Sequence, residues 1–360
     1  MIRRLAVTLL LGLAAGCAGE RPCGTVAFVA GGPRSVVVAV AESLKVDPPE
    51  GPRACFRLDT HPTADEIDQP DAEVALAERL SADRSVVAVV GHLRSRGSLA
   101  AAPVYGRAGL PQVVPGSTSR LLRLIGPWTF VLAPNDSAQA HFLAVAADSI
   151  GARRVLLFYS GEPYGESMVQ SIRPALAARG IGVTDEVRLG MGTDVPTLTE
   201  AAVRRGPVDA VILMTDVNQA GAIARTIVPL RPRLPLLSGD GAMYPLGLRN
   251  AGGAAAESLW IVSLWRPDSS DAAVRRFVER FRVAAGRDPM PTEAFGYDAL
   301  LFAQEAIRAV GPDRSAIRAW LAGSGGAVPP PGHVTQATLH DGPPPTFHFV
   351  RIGPPTPPRP

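Results

Sequence analysis

The amino-acid sequence predicts an α/β protein of two doubly wound lobes, each built on a parallel sheet. Three observations carry this. From Gly24 onward, short β-branched runs alternate with longer helix-like segments. The runs are apolar throughout, as expected of parallel strands covered on both faces. The chain has 360 residues, 46% of them hydrophobic, which is enough for two separate cores.

The strands expected before about Ala133 are Val26–Ala30, Phe56–Leu58, Val86–Val90 and Gln112–Val114, which make one lobe. A second set up to Trp265 comprises Val155–Tyr159, Gly182–Glu186, Ala210–Met214, Pro235–Ser238 and Leu259–Val262. Between and after them lie helices. Ala72–Leu80 carries Val74, Ala77 and Leu80 on one stripe, and Ser137–Ile150 follows Asp136, a residue suited to the N-cap. Ala272–Ala285 places Val274, Phe277, Val278 and Phe281 at helical spacing, and Thr292–Val310 is the last long helix. Repeated strand–helix alternation implies doubly wound sheets. Beyond Ala327, proline and glycine dominate, with a short strand pair expected at Gln336–Leu339 and Thr346–Arg351 and a Pro-rich end at 353–360.

Residues 1–17 read as an export leader. Arg3 and Arg4 precede an apolar stretch, Leu5 to Leu13, that is too short to span a bilayer. Leu13-Ala14-Ala15-Gly16-Cys17 resembles a bacterial lipobox, in which the cysteine is acylated and becomes the mature N-terminus. An ordinary secretory leader with an incidental cysteine is the other reading. The thiol stands just where the small residues end, and two or three acyl chains give stable anchoring. The protein is therefore expected in the periplasm, held to a membrane by its lipid alone. In that oxidising compartment Cys23 and Cys55 are expected to form a disulfide, since each opens an apolar run and adjacent parallel strands would place them side by side.

Charge excludes one class of partner. Setting aside Arg3 and Arg4 leaves 34 basic residues against 33 acidic ones, a near-neutral chain with no nucleic-acid-binding face. No phosphate-binding glycine loop, nucleophile elbow or zinc-binding helix occurs, and the six histidines are scattered. Neither an enzyme nor a cofactor or metal is expected.

From Val86 a family pattern emerges. Val86-Val87-Ala88-Val89-Val90-Gly91-His92-Leu93-Arg94-Ser95 is followed by Ala102-Pro103-Val104-Tyr105 and by Gly109-Leu110-Pro111-Gln112-Val113-Val114-Pro115-Gly116-Ser117-Thr118. Pro134-Asn135-Asp136-Ser137-Ala138-Gln139, Pro163-Tyr164-Gly165, Gly239-Asp240-Gly241 and Ala294-Phe295-Gly296-Tyr297-Asp298-Ala299 come in the same order as in known solute receptors. From Val86 to Val310 the sequence resembles the leucine/isoleucine/valine-binding protein family of ABC transporters. That resemblance implies the type I periplasmic binding protein fold, with two lobes joined by a three-strand hinge and closing on a ligand. It divides the chain into a first lobe of 24–136 plus 266–327 and a second of 137–265 plus 328–352. It also implies a monomer that captures an amino acid and delivers it to ABC permease subunits.

By resemblance, Ser95 and the Gly116-Ser117-Thr118 loop hold the ligand's α-carboxylate, Asp240 pairs with its α-ammonium, and Tyr164 packs over it. The residue types suit these roles: hydroxyls and helix N-terminal N–H groups donate to an anion, and a carboxylate accepts from a cation. Each also has a structural reading. Ser95 suits an N-cap, Thr118 and Asp240 suit turns, and Tyr164 suits a core. Asp136 is expected to cap its helix and Asp298 to be structural. Arg94 and Arg96 either add positive charge near Ser95 or face solvent. Two departures stand out: Gly31-Gly32-Pro33-Arg34 is a much shorter first loop than the family carries, and no aromatic stands near Asp216-Val217-Asn218. A second function is compatible with the same fold, that of a ligand sensor or envelope-assembly partner without transport.

Overall fold

The computed structural model describes residues 23–31, 56–63, 70–340 and 346–352. The leader with Cys17, the Gly32-Pro33-Arg34 turn, Cys55 and the 353–360 tail lie outside the described residues.

The first sheet has strands β1 (Gly24–Gly31), β2 (Phe56–Thr63), β3 (Val86–Val90), β4 (Gln112–Val114) and β5 (Thr129–Val131), in the order β2-β1-β3-β4-β5 and parallel throughout. Its two faces are covered separately. Ala27, Val29, Val86 and Val89 pack under α1 (Pro70–Ala82) and α2 (Ser95–Arg107). Val26, Phe28, Val87 and Val90 pack under α8 (Ala272–Ala285) and α9 (Pro291–Val310). Alternate residues of β1 thus serve opposite layers and β3 also feeds both, which is why no polar alternation marks the strands.

The second sheet repeats the plan. Strands β6 (Arg154–Ser160), β7 (Gly182–Leu189), β8 (Ala210–Met214), β9 (Leu236–Ser238) and β10 (Leu259–Ser263) run parallel, and β11 (His348–Val350) joins β10 antiparallel, in the order β11-β10-β9-β8-β6-β7. Val155 and Leu157 face α3 (Asp136–Ser149) and α4 (Pro163–Ala177). Leu156 and Phe158 face α5 (Val195–Arg204), α6 (Val217–Leu230) and α7 (Pro245–Gly252). Deleting one such buried Leu side chain costs about 2–5 kcal/mol.

Three features differ from expectation. The first is β5, absent from the expected strands, which forms the sheet edge and pairs with β4 alone. Gln336–Leu339 is not a strand: Val334 and Leu339 enter the first lobe's core, so residues 328–340 pack there and only β11 reaches the second lobe. The cause is Asp298, whose buried carboxylate accepts from Val334 N (2.8 Å), Thr335 N (2.8 Å) and Thr335 Oγ1 (2.6 Å). Burial raises its pKa to about 6, against the pull of those hydrogen bonds. The third difference is the cap of α3, which is Asn135, accepting from Ala138 N at 3.1 Å.

The chain passes between lobes near Pro134, near Leu264 and Trp265, and beyond Val334. All three passages border one cavity of about 690 Å³. Trp265 Nε1 donates to Val334 O at 2.8 Å and ties the second passage to the third.

Candidate functional site

The inter-lobe site is built where strands end and helices begin. On the first lobe, β3 leads to α2 and β4 leads to the Gly116–Thr118 loop. Ser95 is buried and is the first residue of α2. It does not cap the helix, because the N-cap position is Arg94 and no side chain closes it. The first-turn N–H groups of α2 are therefore free of a capping side chain, a suitable setting for an anion. Gly116 brings the next loop close: a Cβ there would stand 3.3 Å from Leu93 O. Ser117 differs from expectation, since its hydroxyl turns inward to Ser98 Oγ (2.7 Å) and Leu93 O (3.1 Å) and joins the two loops. Thr118 is buried beside Asp136, whose N–H donates to Thr118 O at 2.9 Å.

On the second lobe, Asp240 follows β9 in a short turn. Gln139 from α3 grips it twice: Gln139 Nε2 donates to Asp240 Oδ1 (2.9 Å) and Gln139 Oε1 accepts from Asp240 N (3.0 Å). The Tyr164 hydroxyl accepts from Gly241 N (3.2 Å) and donates to Gln139 Oε1 (3.4 Å). The glycines on either side are required by this closeness. A Cβ on Gly239 would lie 2.3 Å from the Tyr164 hydroxyl, and one on Gly241 would lie 2.6 Å from Thr215 O.

Electrostatically the site is acidic. Burial raises the pKa of Asp240, although one edge of the residue stays accessible, and hydrogen bonds from Gln139 and Tyr164 oppose the rise. Burial, helped by Asp240 and Asp136, raises the Tyr164 phenol well above its usual value. Asp136 is fully buried and neither of its oxygens makes a hydrogen bond. Burial pushes its pKa up to about 7, with Asp240 adding to the rise. The Ser167 and Thr118 hydroxyls and the Arg120 charge pull it back, but the two hydroxyls stop short of hydrogen-bond geometry. At the mouth, Arg96 of α2 pairs with Glu162 at the head of α4, whereas Arg94 is exposed.

The periplasmic binding protein family pattern matches residues 62–344. The chain belongs to that family. Leu/Ile/Val-binding protein homolog 1 of Brucella abortus is 23% identical over 250 residues, 69% of this chain and 66% of that protein. The chain thus spans just under two thirds of that relative's length. A leucine binding protein from Thermotoga maritima shares the fold at a TM-score of 0.73 and 25% identity, over 82% of this chain and 86% of that one. A solute binding protein from R. palustris, solved in complex with 4-hydroxybenzoate, shares it at a TM-score of 0.74 over 83% of this chain and 84% of that one. Their identity is 15%, so that likeness is one of fold.

In this periplasmic binding protein, the Ser95 and Gly116–Thr118 loops belong to the first lobe and the Tyr164–Asp240 pair to the second. Gln139 had no assigned role from sequence, because a glutamine inside a helix looks like any solvated polar residue until its burial is known. Asp216 caps α6 through Asn218 N (2.7 Å) and Gln219 N (2.9 Å), a structural role for the stretch that lacks an aromatic. Among the described residues no helix is long and apolar enough to cross a membrane, and no group of three His, Cys, Asp or Glu side chains could hold a metal ion.

Proposed function

We propose that the protein is an extracytoplasmic, lipid-anchored receptor that captures an amino acid between its lobes for an ABC importer. The ligand class is branched-chain or other neutral amino acids and their close analogues. The observation that carries this reading is the division of charge across the site. Ser95, Thr118 and the uncapped N-terminus of α2 offer donors on one lobe, and Asp240 offers an acceptor on the other. A zwitterion matches both ends. An aromatic acid without an amine would leave Asp240 facing no cation. The lipobox-like Leu13–Cys17 segment supports the anchor, and mass spectrometry of the mature protein would reveal an acylated Cys17.

Asp240 already has internal partners in Gln139 and Tyr164, and this favours a second reading in which the cleft serves a sensor or an envelope-assembly partner. Titration calorimetry separates the two. Leucine, isoleucine or valine should bind the wild type, and Asp240→Ala should lose about 10- to 150-fold in affinity, the worth of a charge-assisted hydrogen bond of roughly 1.5–3 kcal/mol. Equal binding by the variant would remove Asp240 from the site. If no amino acid binds the wild type, transport gives way to the sensor reading.

A further inference from the structure

Behind the two carboxylate-side loops lies a buried polar chain that touches neither surface. Glu73 of α1, His92 of the β3–α2 loop and Tyr105 of α2 are 7%, 2% and 0% exposed. His92 Nδ1 stands 2.5 Å from Glu73 Oε2, and His92 Nε2 stands 3.1 Å from the Tyr105 hydroxyl. A carboxylate only accepts, so Nδ1 carries the hydrogen. Burial and Glu73 raise the Tyr105 phenol, so it keeps its proton and donates it to Nε2. With its hydrogen on Nδ1, the imidazole donates to Glu73 and accepts from Tyr105, so both ring nitrogens are partnered.

The peptide that bears this imidazole also carries both ligand loops. His92 O accepts from Ser98 Oγ at 2.8 Å, and Ser98 Oγ in turn accepts from Ser117 Oγ at 2.7 Å. Leu93 O lies 3.1 Å from the same Ser117 hydroxyl. Polar chains of this kind are costly to bury and fix geometry only when every member is satisfied. An apolar trio would fill the same space without that cost, so the chain's contribution is in orientation.

We propose that His92 is a positioning residue for ligand recognition. Held by Glu73 and Tyr105, it keeps the 92–98 loop in register with the 116–118 loop, so that Ser95, the α2 N-terminus and Thr118 converge on one carboxylate. This rests on the amino-acid reading given above.

The test compares L-leucine with L-leucinamide, which keeps the ammonium and side chain but lacks the carboxylate, on wild type, His92→Phe, His92→Asn and Tyr105→Phe. His92→Phe should weaken leucine by about 10-fold, the scale of one lost hydrogen bond, and shift leucinamide by less than about 2-fold. His92→Asn, which retains a donor toward Glu73, should recover most of the loss. Equal weakening of both ligands would mean a merely structural role and would overturn the proposal. Amide exchange without ligand gives an independent readout should His92→Phe fold poorly. In Tyr105→Phe, amides of 93–98 and 117–119 should exchange faster while those of β3 and β4 stay unchanged. Unchanged loop exchange would overturn the proposal even if leucine binds. Faster loop exchange in a protein that binds no amino acid would support the coupling while removing the amino-acid reading.

Discussion

Arg96, in the first turn of α2, forms an ion pair with Glu162, the residue at the head of α4, and so links the two lobes across the mouth of the cleft. The side chains are 22% and 39% exposed, so water weakens the pair and its worth is about 0.2–1 kcal/mol. Glu162→Gln should leave the melting temperature nearly unchanged, open the ligand-free protein slightly and lower ligand affinity by up to about 5-fold. Small-angle scattering at low and high salt would check this. A radius that responds neither to the substitution nor to salt would refute a latch.

Asp136 gives a pH prediction. Its carboxyl has a pKa of about 7 in the folded chain against an ordinary value of 3.8, and burial is the main cause. The folded state thus holds this proton more tightly than the unfolded one. The group's contribution to stability is full below about pH 4, declines as pH rises toward 7, and stays low above that. Asp136→Asn removes the buried charge and should stabilise the protein at pH 8 by up to about 4 kcal/mol, with little effect at pH 4. Thermal melts of both proteins across this range provide the measurement. A gap that is constant with pH would show that Asp136 binds its proton equally in the folded and unfolded chains, and would refute the raised pKa.

The asymmetry at this helix start also marks how far the sequence was legible. The strands Val86–Val90, Gln112–Val114 and Ala210–Met214 have the bounds their apolar runs predict, because a strand covered on both faces shows its extent directly. The cap of α3 was read one residue too late, since Asn135 and Asp136 are both good caps and only the backbone turn distinguishes them. The Ser117 hydroxyl turns toward Ser98, nineteen residues away in sequence, a contact no local pattern announces. The tail was misplaced because a single carboxylate, Asp298, draws it onto the first lobe. Such distant hydrogen bonds leave no periodic trace in a sequence.

Cys23 is disulfide-bonded. The parallel register of β1 and β2 sets Gly24, the residue after Cys23, opposite Phe56, the residue after Cys55 in the sequence. The expected partner is therefore Cys55. Closing a loop of about thirty residues is worth roughly 3–4 kcal/mol, so Cys55→Ser should lower the melting temperature by many degrees. Thiol labelling of the unfolded, unreduced wild type should find neither cysteine. Modification of Cys55 in that experiment would assign Cys23 another partner.

The hinge has a mechanical consequence. Its three passages border one cavity, and the second and third are tied by the Trp265–Val334 hydrogen bond, while Asp298 clamps the third to the first lobe. Parallel ribbons anchored at both ends behave as a leaf flexure: they bend readily about one axis and resist twist and sideways slip. The hollow at the pivot gives the ribbons room to bow without crushing side chains. Motion about such a pivot is confined to one angular coordinate. Little of the binding free energy is then lost in aligning the two halves, because the pivot has already removed the other rotations.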